Sequence, residues 1–171
     1  MPLHLIIDGY NLIRQSPWFS LLDARDLEAG RESLLHALSE YRRRRSQPKI
    51  TVVFDGWQGG AFQESRDQFQ GVGIIYSRRG ERADEVIKRL LKREGNRAVV
   101  VSSDRELQDS AERVGATWVA AAEFEMLYLR KAQGGQESEE ENPASRGAGK
   151  KGPARRLKKN LRQKKERLRK L

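Results

Sequence analysis

The chain has 171 residues, room for one domain with a sizeable core, and no cysteine, which excludes disulfides and thiolate metal centres. Its two histidines, His4 and His36, lie far apart, which argues against zinc, and no apolar run approaches the ~20 residues that span a bilayer. The formal net charge is +10, and residues 136–171 alone hold 13 Lys and Arg against 5 Glu, a net +8. The basic character therefore belongs mainly to the C-terminal stretch, where it favours polyanions, nucleic acid being the commonest.

Leu3–Ile7 is an apolar run that predicts a buried strand ending at Asp8. Asp8 also interrupts that run too early for a signal peptide, so the expected setting is a reducing cytoplasm. Leu27 to Arg45 has helical spacing, with Leu27, Leu34, Leu35, Leu38 and Tyr41 largely on one side and four arginines at its carboxyl end. Ile50–Phe54 predicts a second strand, closed by Asp55-Gly56. Trp57 to Gly71 is polar and Gly-rich and predicts a mobile loop, with the Gly59-Gly60 pair simply flexible. Val72–Tyr76 predicts a third strand, Arg82 to Arg93 a helix, and Ala98–Val101 a fourth strand followed at once by Ser102-Ser103-Asp104. A helix over Asp104–Arg113, a short strand at Thr117–Val119 and a last helix over Ala121–Lys131 complete the pattern.

Strands that alternate with helices and read as continuous apolar runs predict an α/β fold with a parallel sheet covered on both faces. The domain is expected over residues 1–132. Residues 133–153, rich in Gly, Ser, Glu and Pro, predict a disordered linker, and 154–171 a basic tail. In the tail, Leu157, Leu161, Leu168 and Leu171 form one helical stripe. So short a helix is marginal alone in water, so ordering on a partner is expected. The alternative is a tail that only keeps the chain soluble.

Asp8, Asp55 and Asp104 each end a strand, and Asp84 opens the helix after the third strand. A parallel sheet gathers such positions at one edge, where packed carboxylates oppose each other's ionisation. A divalent cation relieves that repulsion, and an oxygen-only donor set suits Mg²⁺ or Mn²⁺. Carboxylate-held Mg²⁺ suits phosphodiester hydrolysis, and Asn11, one turn past Asp8, offers an amide to orient a ligand. The bland reading of any single Asp after a strand is a turn or helix cap, and it is the stronger one for Asp104 alone. Arg78, Arg79, Arg82 and Lys88 surround Asp84, either as phosphate contacts or as an ordinary solvated face. In the predicted loop, Trp57 and Phe62 either stack on unpaired bases or pack the loop onto the domain, the latter being preferred.

No P-loop or GxGxxG follows a strand, which argues against a nucleotide-cofactor enzyme. A receiver domain needs an acidic pair after the first strand, where Gly9-Tyr10 follows Asp8. A haloacid-dehalogenase-type phosphatase needs Asp where Tyr10 stands.

Ile6-Ile7-Asp8-Gly9-Tyr10-Asn11-Leu12-Ile13 resembles the opening motif of NYN domains, a branch of the PIN-like nucleases, and in particular the YacP-like group. Val52–Gly56, Gly80–Ile87 and Val101–Leu107 resemble the later motifs, in the right order, so that the resemblance covers about Leu3 to Arg130. It implies a PIN-like three-layer α/β/α fold and metal-dependent RNA cleavage. Asp8, Asp84 and Asp104 would serve at the metal, with Asn11 and Asp55 at further motif positions. The group includes a ribosome-associated endoribonuclease that cleaves messenger RNA. Two functions follow as expectations. One is a Mg²⁺- or Mn²⁺-dependent endoribonuclease acting on single-stranded RNA, messenger RNA on the ribosome among it. The other is a non-catalytic RNA- or ribosome-binding module on the same fold. In either, Arg155, Arg156, Lys158, Lys159 and Arg162 of the tail are expected to hold RNA phosphates, and no membrane is involved.

Overall fold

The apolar runs become strands. In a computed structural model, which describes residues 2–45, 48–56, 61–130 and 166–171, the chain order is β1 (His4–Asp8), α1 (Gly9–Gln15), α2 (Pro17–Asp23), α3 (Leu27–Arg44), β2 (Lys49–Phe54), β3 (Ser65–Phe69), β4 (Val72–Tyr76), α4 (Ala83–Glu94), β5 (Ala98–Val101), α5 (Arg105–Arg113), β6 (Thr117–Val119) and α6 (Ala121–Phe124). The strands form one sheet in the order β3-β4-β2-β1-β5-β6. All pairings are parallel except β3 with β4.

Successive residues of each strand serve opposite faces of the sheet. Leu5 and Ile7, with Ile50, Val52, Phe54, Val99 and Val101, pack under α1, α3 and α6. Ile6, Val53, Ile75 and Val100 pack under α4 and α5, against Val86, Ile87, Leu90, Leu91 and Leu107. The result is the three-layer α/β/α arrangement with helices on both faces. Strand β1 lies between β2 and β5, and Leu5, Ile6 and Ile7 are fully buried. Each such side chain stabilises the fold by about 1.5–3 kcal/mol. Asp8, at the end of this strand, is thus fixed by the protein's interior. The chain leaves β1 for β2 on one side and returns to β5 on the other, so the gap between β1 and β5 is the topological switch point where sites gather in such sheets.

Several elements differ from the sequence reading. The predicted loop over Trp57–Gly71 contains β3, an antiparallel edge strand joined to β4 by Gln70-Gly71. Both turn residues have positive φ (45° and 85°), the signature of a two-residue type I′ hairpin. Strand β3 is largely exposed, so no apolar alternation announces it. Helices α1 and α2 were not expected; Asp8 and Ser16 cap them, and Pro17 sits at the first position of α2. On α3, Leu34, Leu35, Leu38 and Tyr41 are buried as expected, but Leu27, in its first turn, is exposed. The last predicted helix is α6 followed by a π-helical stretch, Glu125–Leu129.

The C-terminal residues described, 166–171, lie on the domain itself. Leu171 is completely buried in the core beneath α3, and its carbonyl accepts a hydrogen bond from the Tyr41 hydroxyl. The Leu168 carbonyl accepts from Tyr128 (3.0 Å), and Arg167 donates to the Gly115 carbonyl (3.0 Å) and to Thr117 Oγ1 (3.1 Å). These contacts cluster at the amino end of the sheet, opposite Asp8. Half of the leucine stripe therefore has a partner within the chain. Leu157, Leu161, the expected linker and the cations Arg155, Arg156, Lys158, Lys159 and Arg162 lie outside the described residues. No helix among the described residues is long and apolar enough to cross a membrane.

Candidate functional site

Each residue of the Asp-Gly-Tyr-Asn run at the end of β1 has its own contact. Asp8 caps α1, its Oδ1 accepting the Asn11 N–H at 3.4 Å. Gly9 faces the ring of Phe54, and a Cβ there would fall inside contact distance of the ring carbons. Tyr10 packs edge-on against Phe54, with ring centroids 5.2 Å apart, and its hydroxyl accepts from Arg31 (3.1 Å). Asn11 Oδ1 accepts the Ser103 N–H at 2.8 Å, tying α1 to the loop after β5 across the switch point.

That loop supplies a residue the sequence reading passed over. Ser102 is completely buried; its hydroxyl donates to Asp8 Oδ2 (3.1 Å) and accepts the Asp104 N–H (3.1 Å). It holds two of the expected site aspartates in one hydrogen-bonded chain. The Ser102-Ser103-Asp104 run directly after β5 was the available signal. Asp104 caps α5, Oδ1 accepting from Glu106 N (2.7 Å) and Leu107 N (3.4 Å), so its capping role is real. Asp55, after β2, accepts the Ala83 N–H and so pins the start of α4 to the same edge. Asp84, in the first turn of α4, pairs with Arg82 at 3.2 Å.

Asp8 is 7 % exposed and Asp84 8 % exposed. Burial pushes the Asp8 carboxyl up to about 6. The Asn11 N–H opposes the shift, the Asp84 carboxylate adds to it, and the bonds to Ser102 and the field of Asp55 act in the same two senses. Asp84 is also raised, first by burial; Arg82 opposes, and Asp104 and Asp55 add. At the carboxyl edge of the sheet, Asp84 thus lies in electrostatic reach of Asp8, Asp55 and Asp104.

They do not meet at a point. Among the described residues, no three His, Cys, Asp or Glu side chains stand close enough to hold a metal ion together. Each carboxylate is turned to a partner of its own: Asp8 to Ser102 and Asn11, Asp55 to Ala83, Asp84 to Arg82, Asp104 to the first turn of α5. The donor chemistry suits a hard divalent cation all the same, being oxygen-only and built around a buried carboxylate whose ionisation its neighbours oppose.

The expected phosphate contacts are placed unequally. Lys88 bridges Glu85 (3.1 Å) and Glu106 (2.5 Å), which joins α4 to α5. Arg78 stands 3.6 Å from Glu81, and Arg82 is the partner of Asp84. The guanidinium of Arg79 meets no carboxylate among the described residues. Phe62, expected to pack onto the domain, is instead 85 % exposed, as part of an exposed segment with Ala61 and Gln63. Trp57 lies outside the described residues.

Comparisons with known proteins agree with this fold. The chain is 29% identical over 97 residues to the uncharacterized protein YacP of Bacillus subtilis (strain 168), covering 57% of this chain and 56% of that relative's length. It superposes on the crystal structure of Rae1 (YacP) from Bacillus subtilis with a TM-score of 0.61 and 29% identity, covering 78% of this chain and 74% of the other. A point-mutant form of the same protein gives a TM-score of 0.61 and 28% identity over 77% of this chain and 75% of that one. The fold is therefore the NYN/PIN-like one of the nuclease superfamily. The model of the YacP-like NYN domain matches residues 5–170, through the basic C-terminal stretch as well as the α/β core, and the chain belongs to that family.

Proposed function

We propose that the chain is a divalent-metal-dependent endoribonuclease acting on single-stranded RNA, with messenger RNA on the ribosome as the expected setting in a bacterial-type cytoplasm. One observation carries the reading: a buried aspartate, Asp8, whose carboxyl is pushed up to about 6 at the switch point of the sheet, with three further aspartates facing the same edge. Asp8, Asp84 and Asp104 would hold Mg²⁺ or Mn²⁺, with Asp55 beside them. When bound, the cation would make water nucleophilic near neutral pH and offset charge on the phosphate. Ser102 and Asn11 orient the acidic groups: the first by its bond to Asp8, the second by locking the loop that carries Asp104. Water attacking phosphorus in line and expelling the 3′ oxygen leaves a 3′-hydroxyl and a 5′-phosphate, whereas attack by the 2′-hydroxyl with loss of the 5′ oxygen leaves a 2′,3′-cyclic phosphate.

The test is incubation of RNA with the full chain in Mg²⁺ or Mn²⁺, against Asp8→Asn and against EDTA. Cleavage that needs the metal and Asp8 and leaves 5′-phosphate ends supports the proposal. Cleavage indifferent to both, or cyclic phosphate ends, refutes it. A second reading, a non-catalytic RNA- or ribosome-binding module, is favoured by the individual partners of the four carboxylates and predicts binding without cleavage in any metal.

A further inference from the structure

Beside the carboxylate edge lies a cleft of about 750 Å³, lined by Phe62, the 78–82 loop, Glu85 and Arg89. The loop is rigidly built. Ser77 donates from its hydroxyl to the Glu81 carbonyl (2.7 Å) and accepts the Gly56 N–H (3.0 Å), and Gly80 takes the positive φ of 80° that the turn requires. The Arg79 N–H donates to the Ala61 carbonyl (3.1 Å), which stations Phe62 at the rim. Arg82 connects the cleft to the site, because its guanidinium lies on Asp84. Four arginines and two glutamates line the cleft, so its balance is positive.

An exposed aromatic ring by itself is ordinary. What distinguishes Phe62 is its company: an open ring face at the mouth of a cationic cleft that abuts aspartates of the proposed site. A ring face plus guanidinium groups is the combination that holds unpaired nucleotides, base on the ring and phosphate on the cations. We propose that this cleft is a subsite for one unpaired nucleotide of the RNA strand, its base stacked on Phe62 and its phosphate held by Arg79, with Arg82 leading the backbone toward Asp84. The proposal rests on the nuclease reading for its substrate and assigns a positioning role to residues outside the acidic set. Such a subsite predicts a preference for single strands: a base inside a duplex is already stacked on both sides and has no face to offer. An acidic peptide would engage the arginines equally well but would leave the ring idle.

The experiment uses the full chain carrying Asp8→Asn, in Mg²⁺, with a short single-stranded RNA containing 2-aminopurine and its duplex counterpart. Anisotropy gives Kd, and 2-aminopurine fluorescence reports stacking. Phe62→Ala should weaken single-strand binding by roughly tenfold and abolish the stacking quench, with Phe62→Trp restoring both and duplex affinity unchanged. Arg79→Ala should flatten the salt dependence by a slope of about 0.7, one phosphate contact. Unchanged Kd and quench in Phe62→Ala, or displacement of the RNA by polyglutamate with no change in quench between wild type and variant, overturns the subsite. Cleavage by the chain with native Asp8 separates the two claims. Cleavage with an inert Phe62 removes the subsite alone. A working aromatic series without cleavage in any metal removes the nuclease reading and leaves the subsite standing.

Discussion

Replacing Asp8 by Asn should make the metal-free protein more stable while abolishing cleavage. The carboxyl of Asp8 is raised from 3.8 to about 6, so folding makes its ionisation harder. A shift of about 2 units corresponds to about 3 kcal/mol between protonation states. The sign follows from linkage: with the folded value above the unfolded one, the stabilising contribution of Asp8 is complete below about pH 4 and is lost as the pH rises through about 6. Asn carries no charge to desolvate and keeps an oxygen for the Asn11 N–H, but Ser102 loses a charged acceptor. The net gain at pH 7 should be about 1–3 kcal/mol, a Tm rise of roughly 2–10 °C for a chain of this size. Thermal unfolding followed by circular dichroism in EDTA, from pH 4 to 8, measures it. The two proteins should coincide near pH 4 and diverge through pH 6. Saturating Mn²⁺ should then raise the wild-type Tm and leave that of Asp8→Asn nearly unmoved, since only the former gains linked binding energy. Equal stability at pH 7, or a less stable variant, would refute the claim that Asp8 is held charged against the fold.

Gly9→Ala should cost about 1–3 kcal/mol, because the new methyl meets the Phe54 ring, and should lower activity through the neighbouring Asp8; urea unfolding and cleavage rate check both. His4 is buried with Nε2 at 2.8 Å from Thr51 Oγ1, and its pKa is lowered, first by desolvation, against the pull of Glu94. Its stabilising contribution is therefore present above about pH 6.5 and lost on acidification, so His4→Gln should lessen the loss of stability between pH 7 and 5, measured by urea titration. Deleting residues 166–171 should destabilise the domain by about 2–4 kcal/mol, given the buried Leu171 and its hydrogen bond to Tyr41, as urea unfolding would show, whereas exchanging Arg155, Arg156, Lys158, Lys159 and Arg162 for Gln should flatten the salt dependence of RNA binding.

The sequence was most legible where a segment is buried on both faces. The runs at Leu3–Ile7, Ile50–Phe54, Val72–Tyr76 and Ala98–Val101 could be read as strands because apolar residues dominate them and no charged carboxylate, Lys or Arg interrupts them, the polar exceptions His4 and Thr51 being bonded to each other, and their order gave the parallel layers. Strand β3 stayed hidden because an exposed edge strand needs no apolar alternation; only the Gly71 turn marked it. Helices α1 and α2 are seven residues each, too short for periodicity to show, and are announced by their caps alone. The edge that carries the aspartates was readable from the strand ends. Ser102 was not, since a serine between a strand and a helix has many bland uses, and its contact with Asp8 spans 94 positions.

The individual partners of the aspartates have a consequence for how the site would assemble. Asp104 spends Oδ1 on both of its cap bonds, so its Oδ2 is not committed by α5. Asp55 is likewise engaged through Oδ1. Among the described residues, the one ion pair of Asp84 is with Arg82, a long side chain that is itself largely exposed and lines the cleft beside the site. Arg82 is thus the group most easily exchanged, and a phosphate entering the cleft would compete for it. Releasing Asp84 removes the main influence that lowers its pKa and leaves a buried carboxylate opposed by Asp104 and Asp55. A divalent cation supplies what Arg82 withdraws. Substrate and metal would then bind with positive coupling, each favouring the state the other needs. Arg82→Gln should erode that coupling: the affinity for Mn²⁺ should become nearly independent of RNA, read by calorimetry with Asp8 intact and a non-cleavable RNA analogue. An Arg82→Gln protein whose Mn²⁺ affinity still rises with RNA as in the wild type would show that Arg82 is not the link.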